Sequence, residues 1–432
     1  MAPEKPHVEQ QRERCYTQRV LRTLVASFLA FGTVIAAQDR SIPRPPASSS
    51  QAEGSTAPDG YAPIPQWLGQ TRAPVPTSTV RITATTVVAG IRGGFGFHFL
   101  PDGRIVISER PGRIQIASKE GVLSEPLTGL PAIYTRGPQG LFEVLPDREF
   151  AKNRTLYLTY TALPAGSDAA NAPRLAGVLL VARARLSDDS TKLEDVKTLL
   201  NAEGIGGRAI QRRDGTLLVS SSIPAGVGVN SDEWPQPQQL DSLMGKVLRI
   251  NTDGSVPKDN PFVGKTGARP EICAYGIRDD QGLALHPQAE TLWTSEHGPR
   301  GGDEINEIRA GANYGFPVVG YGREYNGKPI NGDKTAAPGM EQPAYFWTPD
   351  IAPAGIAFYT GTRIPEWRDN LFVAALAGKH LARLVLRGSR VVGEERLLTD
   401  LNTRIRDVQM GPDGWLYVMT DGQDGRILRL TR

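Results

Sequence analysis

Cysteine is almost missing from this 432-residue chain, which has only Cys15 and Cys273. Cys15 precedes an apolar stretch that reads as removable. Cys273 is then left without a partner, no disulfide can brace the domain, and stability must come from the core even in an oxidising compartment. Cys273 itself reads as a small buried residue beside a strand. An excess of one charge is missing too: the formal net charge is +3 and Lys and Arg are scattered. That excludes the concentrated basic footprint of a nucleic-acid-binding protein. Histidine is scarce, with five in all (His7, His98, His286, His297 and His380), so few residues can serve as an imidazole base. Long helical periodicity is absent beyond the N-terminus, and the one extended apolar run, at 24–37, is too short to span a bilayer comfortably.

Glycine and proline are abundant, at 47 and 34 residues. Frequent turns joining short strands explain that better than long helices do. Arg12, Arg14, Arg19 and Arg22 lead into the 24–37 run, which ends in the small pair Ala36-Ala37 and is followed by no stop-transfer pattern. This predicts an export signal over residues 1–37 and a periplasmic or secreted protein, with an uncleaved N-terminal anchor as the alternative. Residues 38–79 are rich in Ser, Pro, Ala and Gln, with Pro43, Pro45, Pro46 and Ser48-Ser49-Ser50. They predict a disordered tether.

From residue 80 to 432 one phrase returns: an apolar pair, a Pro-Asp-Gly-like turn, then an alternating strand. Pro101-Asp102-Gly103 before Ile105-Val106-Ile107 and Pro412-Asp413-Gly414 before Leu416-Tyr417-Val418 are its clearest copies. Weaker ones lie at Pro146-Asp147, Asp214-Gly215, His286-Pro287 and Thr360-Gly361, making six. Asp-Gly supplies the positive φ of a tight hairpin, and the alternation buries one face of the strand that follows. Copies at intervals of roughly 45 to 75 residues predict an all-β, six-bladed β-propeller with loop insertions; a β-sandwich rich in hairpins is the alternative. In a propeller, the loops at one end of the central channel carry function.

The densest chemistry lies in Tyr275-Gly276-Ile277-Arg278-Asp279-Asp280-Gln281-Gly282-Leu283, Glu296-His297-Gly298-Pro299, Asp303-Glu304-Ile305-Asn306 and Asn313-Tyr314-Gly315. Gly-rich backbone of this kind lets a ligand approach main-chain groups closely. Together with Trp347, Ile351-Ala352-Pro353-Ala354-Gly355 and Arg404-Ile405-Arg406-Asp407-Val408, these phrases resemble the soluble sugar dehydrogenases that use pyrroloquinoline quinone (PQQ), of both the glucose and the aldose type. The resemblance covers nearly everything after the tether. It implies oxidation of an aldose sugar, with electrons passed to an external acceptor and PQQ and calcium as cofactors. PQQ carries three carboxylates, so its pocket needs cations, and guanidinium groups match carboxylates in two-point fashion. The resemblance places Arg278, Arg404 and Arg406 on the cofactor, joined by Gln281, His297, Asp303, Trp347, Asp350 and Lys379. It assigns calcium to the backbone carbonyls of Gly298 and Pro299, oxygen donors that suit that ion.

The pattern breaks where the base belongs. The family carries a catalytic histidine in a His-Phe-Gly-Gly-Arg phrase and a supporting aspartate at the end of the next strand. Here the phrase reads Gly204-Ile205-Gly206-Gly207-Arg208, and Ile223 stands at the aspartate's position. His297 is then a candidate base. The family's substrate-facing Gly-Gln-Gly-Gly-Leu reads Gly137-Pro138-Gln139-Gly140-Leu141, with Gln139 displaced by one position. Arg278 is followed by Asp279-Asp280 in place of Asn-Pro, which puts two acids beside a carboxylate-rich cofactor. Three readings stay open: an aldose dehydrogenase with an altered base, a propeller that binds PQQ or sugar without turnover, and a calcium-bearing propeller hydrolase that uses Asp279, Asp303 and Asp350.

Overall fold

A computed structural model describes residues 63–168, 170–223, 234–330 and 332–432. The predicted export segment and the tether up to residue 62, with Cys15 and His7, lie outside the described residues. Six antiparallel sheets follow one another along the chain. Blade 1 holds β2 (Gly94–Phe99), β3 (Ile105–Glu109) and β4 (Arg113–Ala117); blade 2 holds β5 (Leu141–Pro146), β6 (Thr155–Ala162), β7 (Val178–Leu186) and β8 (Leu193–Ala202). Blade 3 comprises β9 (Ala209–Gln211), β10 (Leu217–Ser221), β11 (Lys246–Ile250) and β12 (Ile272–Tyr275), and blade 4 comprises β13 (Asp280–Leu285), β14 (Leu292–Glu296), β15 (Asp303–Ile308) and β16 (Tyr345–Trp347). Blade 5 is β17 (Pro353–Phe358), β18 (Leu371–Ala375), β19 (His380–Arg387) and β20 (Arg390–Leu397). Blade 6 is β21 (Ile405–Met410), β22 (Leu416–Thr420), β23 (Gly425–Thr431) and, as its outer strand, β1 (Thr83–Ile91).

The ring closes twice over. β1 pairs with β23 from Thr83 opposite Thr431 to Ile91 opposite Gly425, so the two ends of the propeller body share one sheet. The innermost strands β2, β5, β9, β13, β17 and β21 each pack on the next, and β21 packs back on β2. The six predicted turn phrases are the connections from each innermost strand to the second, and Gly103, Gly215 and Gly414 take the positive φ that those hairpins require. Between blades lie apolar clusters, such as Tyr359, Trp367 and Phe372 beneath Ile405 and Val408. Cys273 is buried, as expected.

The predicted tether is corrected at its end. Residues 63–79 form a strap over blades 4 and 5. Gln70 is fully buried, donates to Pro343 O (3.0 Å) and accepts from Phe346 N (2.9 Å). Pro74 O accepts from Glu394 N (3.0 Å), and Ser78 O accepts from the Arg383 guanidinium (2.6 Å). A Pro- and Ser-rich segment cannot build its own core, but its backbone can satisfy polar groups on a preformed sheet edge.

Candidate functional site at the channel mouth

Hairpins alternate in direction. The starts of the innermost strands and the connections from second to third strands therefore meet at one end of the ring. Gln139, Gly204, Arg278, His297, Lys379, Arg404 and Arg406 all lie in or beside such segments, so the topology brings the predicted residues to one mouth. Their side chains then part company.

Arg278, on the approach to β13, is buried. Its guanidinium donates to His297 O (2.8 Å) and Gly298 O (3.3 Å), and its backbone N–H donates to Glu296 Oε1 (2.5 Å). Its Nε has no partner. The His297 side chain keeps 20% exposure, and its Nδ1 lies 3.7 Å from Asp279 Oδ2, too far for a hydrogen bond but close enough for electrostatic pairing. Burial holds the imidazole down to about 4; Asp279 works against this, and Arg278 and Arg406 add to it. Gln281 donates to Asp279 Oδ1 (2.6 Å). Burial, and then the neighbouring Glu296, push Asp280 well above the usual carboxylate range, and neither of its oxygens has a partner. Burial likewise raises Glu296 to about 7. Behind His297, a cavity of about 20 Å³ separates Arg278 and Glu296 from Tyr321 and Phe316.

Other predicted residues are committed to scaffolding. Asp303 Oδ1 accepts from Gly298 N (2.9 Å), while its Oδ2 accepts from Ile351 N and Ala352 N (2.7 Å each). Asp350 accepts from Gly301 N (2.7 Å) and Asp303 N (3.3 Å). These two carboxylates lock the 297–302 loop, each with both oxygens engaged by backbone N–H groups. Trp347 is a core residue that packs edge-on against Tyr345 and donates to Glu394 Oε1 (3.2 Å). Gln139 exchanges hydrogen bonds with Gly177 and is buried. Lys379 sits half-buried in the turn between β18 and β19 with positive φ. Thus Trp347, Gln139, Asp303 and Asp350 do not join the cluster of groups facing the mouth.

Arg404 and Arg406 do join it. Both pair with Asp421, Arg404 Nε at 2.9 Å and Arg406 at 3.4 Å. Burial pulls the Asp421 carboxyl up, but the two guanidiniums outweigh it and hold the group below its ordinary value. Arg404 keeps 43% exposure, whereas Arg406 is buried.

On the blade 3 side the expected acid–base pair has been replaced by packing. Gly204 has φ +91, and a Cβ there would lie 2.5 Å from Ser222 O and 3.3 Å from the Met244 side chain. Ile223 is buried with Phe316 and Ile330, and Met244 packs against them.

Sequence reading missed the channel below the mouth, where Arg208 crosses between Glu143 Oε2 and Asp407 Oδ1, both at 3.2 Å. Arg208 and Asp407 stood in the recognised phrases without a role. A fully buried charge can be read only once its partners from other blades are known.

The mouth meets the chemical demands of a carboxylate-bearing cofactor: two charged arginines beside one carboxylate, and buried polar atoms left without a partner at Arg278 Nε, His297 Nε2 and Ser222 Oγ. Native proteins rarely leave such atoms unpaired. Among the described residues no group of three His, Cys, Asp or Glu side chains could hold a metal ion. No helix among them is long and apolar enough to cross a membrane.

Comparison with known proteins agrees with this geometry. The family described as Glucose / Sorbosone dehydrogenase matches residues 92–429. The chain is 38% identical to the aldose sugar dehydrogenase YliI of Escherichia coli (strain K12) over 342 residues, covering 77% of this chain and 88% of that protein. A crystal structure of a glucose dehydrogenase superposes with TM-score 0.74 at 40% identity, covering 80% of this chain and 99% of the other. A shorter match, 33% identical over 43% of this chain and 51% of the relative, is to quinoprotein glucose dehydrogenase B of Acinetobacter calcoaceticus. With that breadth of coverage, the chain belongs to the glucose/sorbosone dehydrogenase family and is an oxidoreductase of that family.

Proposed function

We propose that this protein oxidises aldose sugars to lactones with bound PQQ and calcium, passes the electrons to an external acceptor, and works after export directed by residues 1–37. The observation that carries this reading is the convergence of Arg278, Arg404 and Arg406 on one channel mouth, with Arg278 Nε unpartnered. When bound, PQQ supplies a two-electron acceptor, and the protein's part is to bind and orient it. Arg404 and Arg406 offer two-point hydrogen bonding to carboxylates, and Arg278 adds charge from across the mouth. The Gly298 and Pro299 carbonyls supply oxygen ligands for calcium on a loop already locked by Asp303 and Asp350. His297 is the imidazole at this mouth able to take the proton of the anomeric hydroxyl, with Asp279 beside it. Gln281 holds Asp279 in place, and Lys379 adds a further cation at the rim.

A second reading, a propeller that holds PQQ or sugar without turnover, is favoured by the sealed blade 3 side, where Gly204 and Ile223 leave neither side chain nor space for the family's acid–base pair. One titration separates the two. PQQ is added to the purified protein with calcium while absorbance is followed, and a panel of aldoses is then added. Binding followed by bleaching of the oxidised quinone is the expected result. Binding without bleaching selects the second reading, and no binding overturns both.

A further inference from the structure

We propose that Phe95 and Arg208 are positioning residues for Arg406, presenting its guanidinium at a fixed tilt to the carboxylate it binds; this rests on the PQQ reading above. The guanidinium carbons of Arg208 and Arg406 both lie over the Phe95 ring, 4.8 and 5.3 Å from its centroid. Asp421 alone does not fix Arg406: both contacts are long, 3.4 Å, and both end on the same oxygen. A guanidinium held at a single point can swing, and the ordering that binding then demands weakens the complex. An aromatic face beneath it removes that freedom.

Phe95 is itself held by Arg208, which is buried at 3% exposure. Arg208 donates to Phe95 O of blade 1 (3.0 Å), Glu143 of blade 2 (3.2 Å), Gln281 O of blade 4 (2.9 Å) and Asp407 of blade 6 (3.2 Å). With its own blade 3, five blades meet on one side chain. The two carboxylates offset its charge, without which two guanidiniums over one ring would repel. Glu143 also holds His98, with Nε2 3.0 Å away. Two glycines clear the space. A Cβ on Gly96 would come within 2.7 Å of Glu143 Oε1 and 2.8 Å of the Arg208 guanidinium, and one on Gly355 within 1.9 Å of Asp407 Oδ1.

The test is PQQ affinity of the full chain with calcium, by fluorescence or absorbance titration, alongside the melting temperature of the cofactor-free protein. Phe95→Leu removes the ring, and Phe95→Tyr keeps it. Phe142→Leu is the packing control: Phe142 meets Phe95 edge-on at 5.2 Å in the same core cluster, and its loss leaves the ring under Arg406. Phe95→Leu is expected to weaken PQQ about tenfold, the range of a partly desolvated cation–π contact. Phe95→Tyr and Phe142→Leu are expected to stay within about twofold, although Phe142→Leu melts earlier. Should Phe95→Leu fail to fold, Phe95→Met, closer in volume, carries the same comparison. Equal weakening by Phe95→Leu and Phe142→Leu, or no weakening by Phe95→Leu, overturns the positioning role while leaving the cofactor reading intact. Absence of PQQ binding by the unaltered protein overturns the cofactor reading and this proposal with it.

Discussion

The two sides of the channel mouth are built from opposite materials. On blade 3, Ile223 is buried against Phe316 and Ile330 beside Gly204, and the backbone carbonyl of Ser222 occupies the space a side chain at 204 would need. On blade 4, Arg278, Asp279, Asp280, Glu296 and His297 crowd together, and most of them carry a buried polar atom with no partner. One side is dominated by apolar packing; the other carries most of the unpartnered polar atoms. The difference teaches that neither position of the family's histidine and aspartate has room for a polar side chain: a Cβ at 204 meets the Ser222 carbonyl, and Ile223 sits among apolar side chains. The titratable groups that remain are on the blade 4 side.

The largest expected effect comes from putting charge back on the apolar side. Ile223→Asp buries a carboxylate among apolar side chains and should cost about 4 kcal/mol of stability, measured by denaturant unfolding. A loss below about 1 kcal/mol would mean that water already reaches the site. Gly204→His comes next, at about 3 kcal/mol, because positive φ and the close Ser222 carbonyl act together. It should restore no activity. Gain of sugar oxidation in this variant would show that blade 3 can still host the base.

The polar side is tested by binding. Arg406→Ala should weaken PQQ by about thirtyfold, roughly 2 kcal/mol, through loss of a charge-assisted pair; unchanged affinity would remove Arg406 from the site. Asp280→Asn should raise stability at neutral pH by about 1 kcal/mol. Asp280 is pushed well above its ordinary value, so the folded state keeps its proton longer than the unfolded chain does. Stability is therefore lost as pH rises from the unfolded value towards the folded one, and the gain from Asn should shrink as pH falls towards 4. A gain that does not change with pH would point to packing instead.

How much of this was legible in the sequence follows the physics of each residue. The propeller was legible because a hairpin turn needs positive φ, and Asp102-Gly103, Asp214-Gly215 and Asp413-Gly414 announce it locally; the family resemblance rested on other segments, chiefly 275–283, 296–306 and 404–408, and is upheld by the match over residues 92–429. The strap at 63–79 was not legible, since its partners, such as Tyr345 and Arg383, lie hundreds of residues away. Arg278, Arg404 and Arg406 were singled out through the family phrases that hold them, and the strand ends bring those phrases to one mouth. Asp303, Asp350, Gln139 and Trp347 have the right chemistry and location, but residue type does not say which way a side chain turns, and theirs turn into the scaffold. Arg208 was the converse case, present in a recognised phrase with its role hidden until Glu143 and Asp407 arrived from other blades.

The smallest effect sharpens the comparison most. Asp279 stands where the family has Asn, its Oδ1 bound by Gln281 and its Oδ2 3.7 Å from His297 with no hydrogen-bond partner. Asp279→Asn keeps the shape and the Gln281 contact while removing one negative charge beside a site meant for carboxylates. Screened as in water, one charge at several ångströms is worth about 0.7 kcal/mol, so PQQ should bind about threefold more tightly, as read by the same titration. Weaker binding would carry the opposite message: the negative charge of blade 4 serves a cation there, and calcium draws on Asp279 as well as on the Gly298 and Pro299 carbonyls. Repeating the titration over a range of calcium concentrations distinguishes the two, because only in the second case does the deficit of the variant shrink as calcium rises.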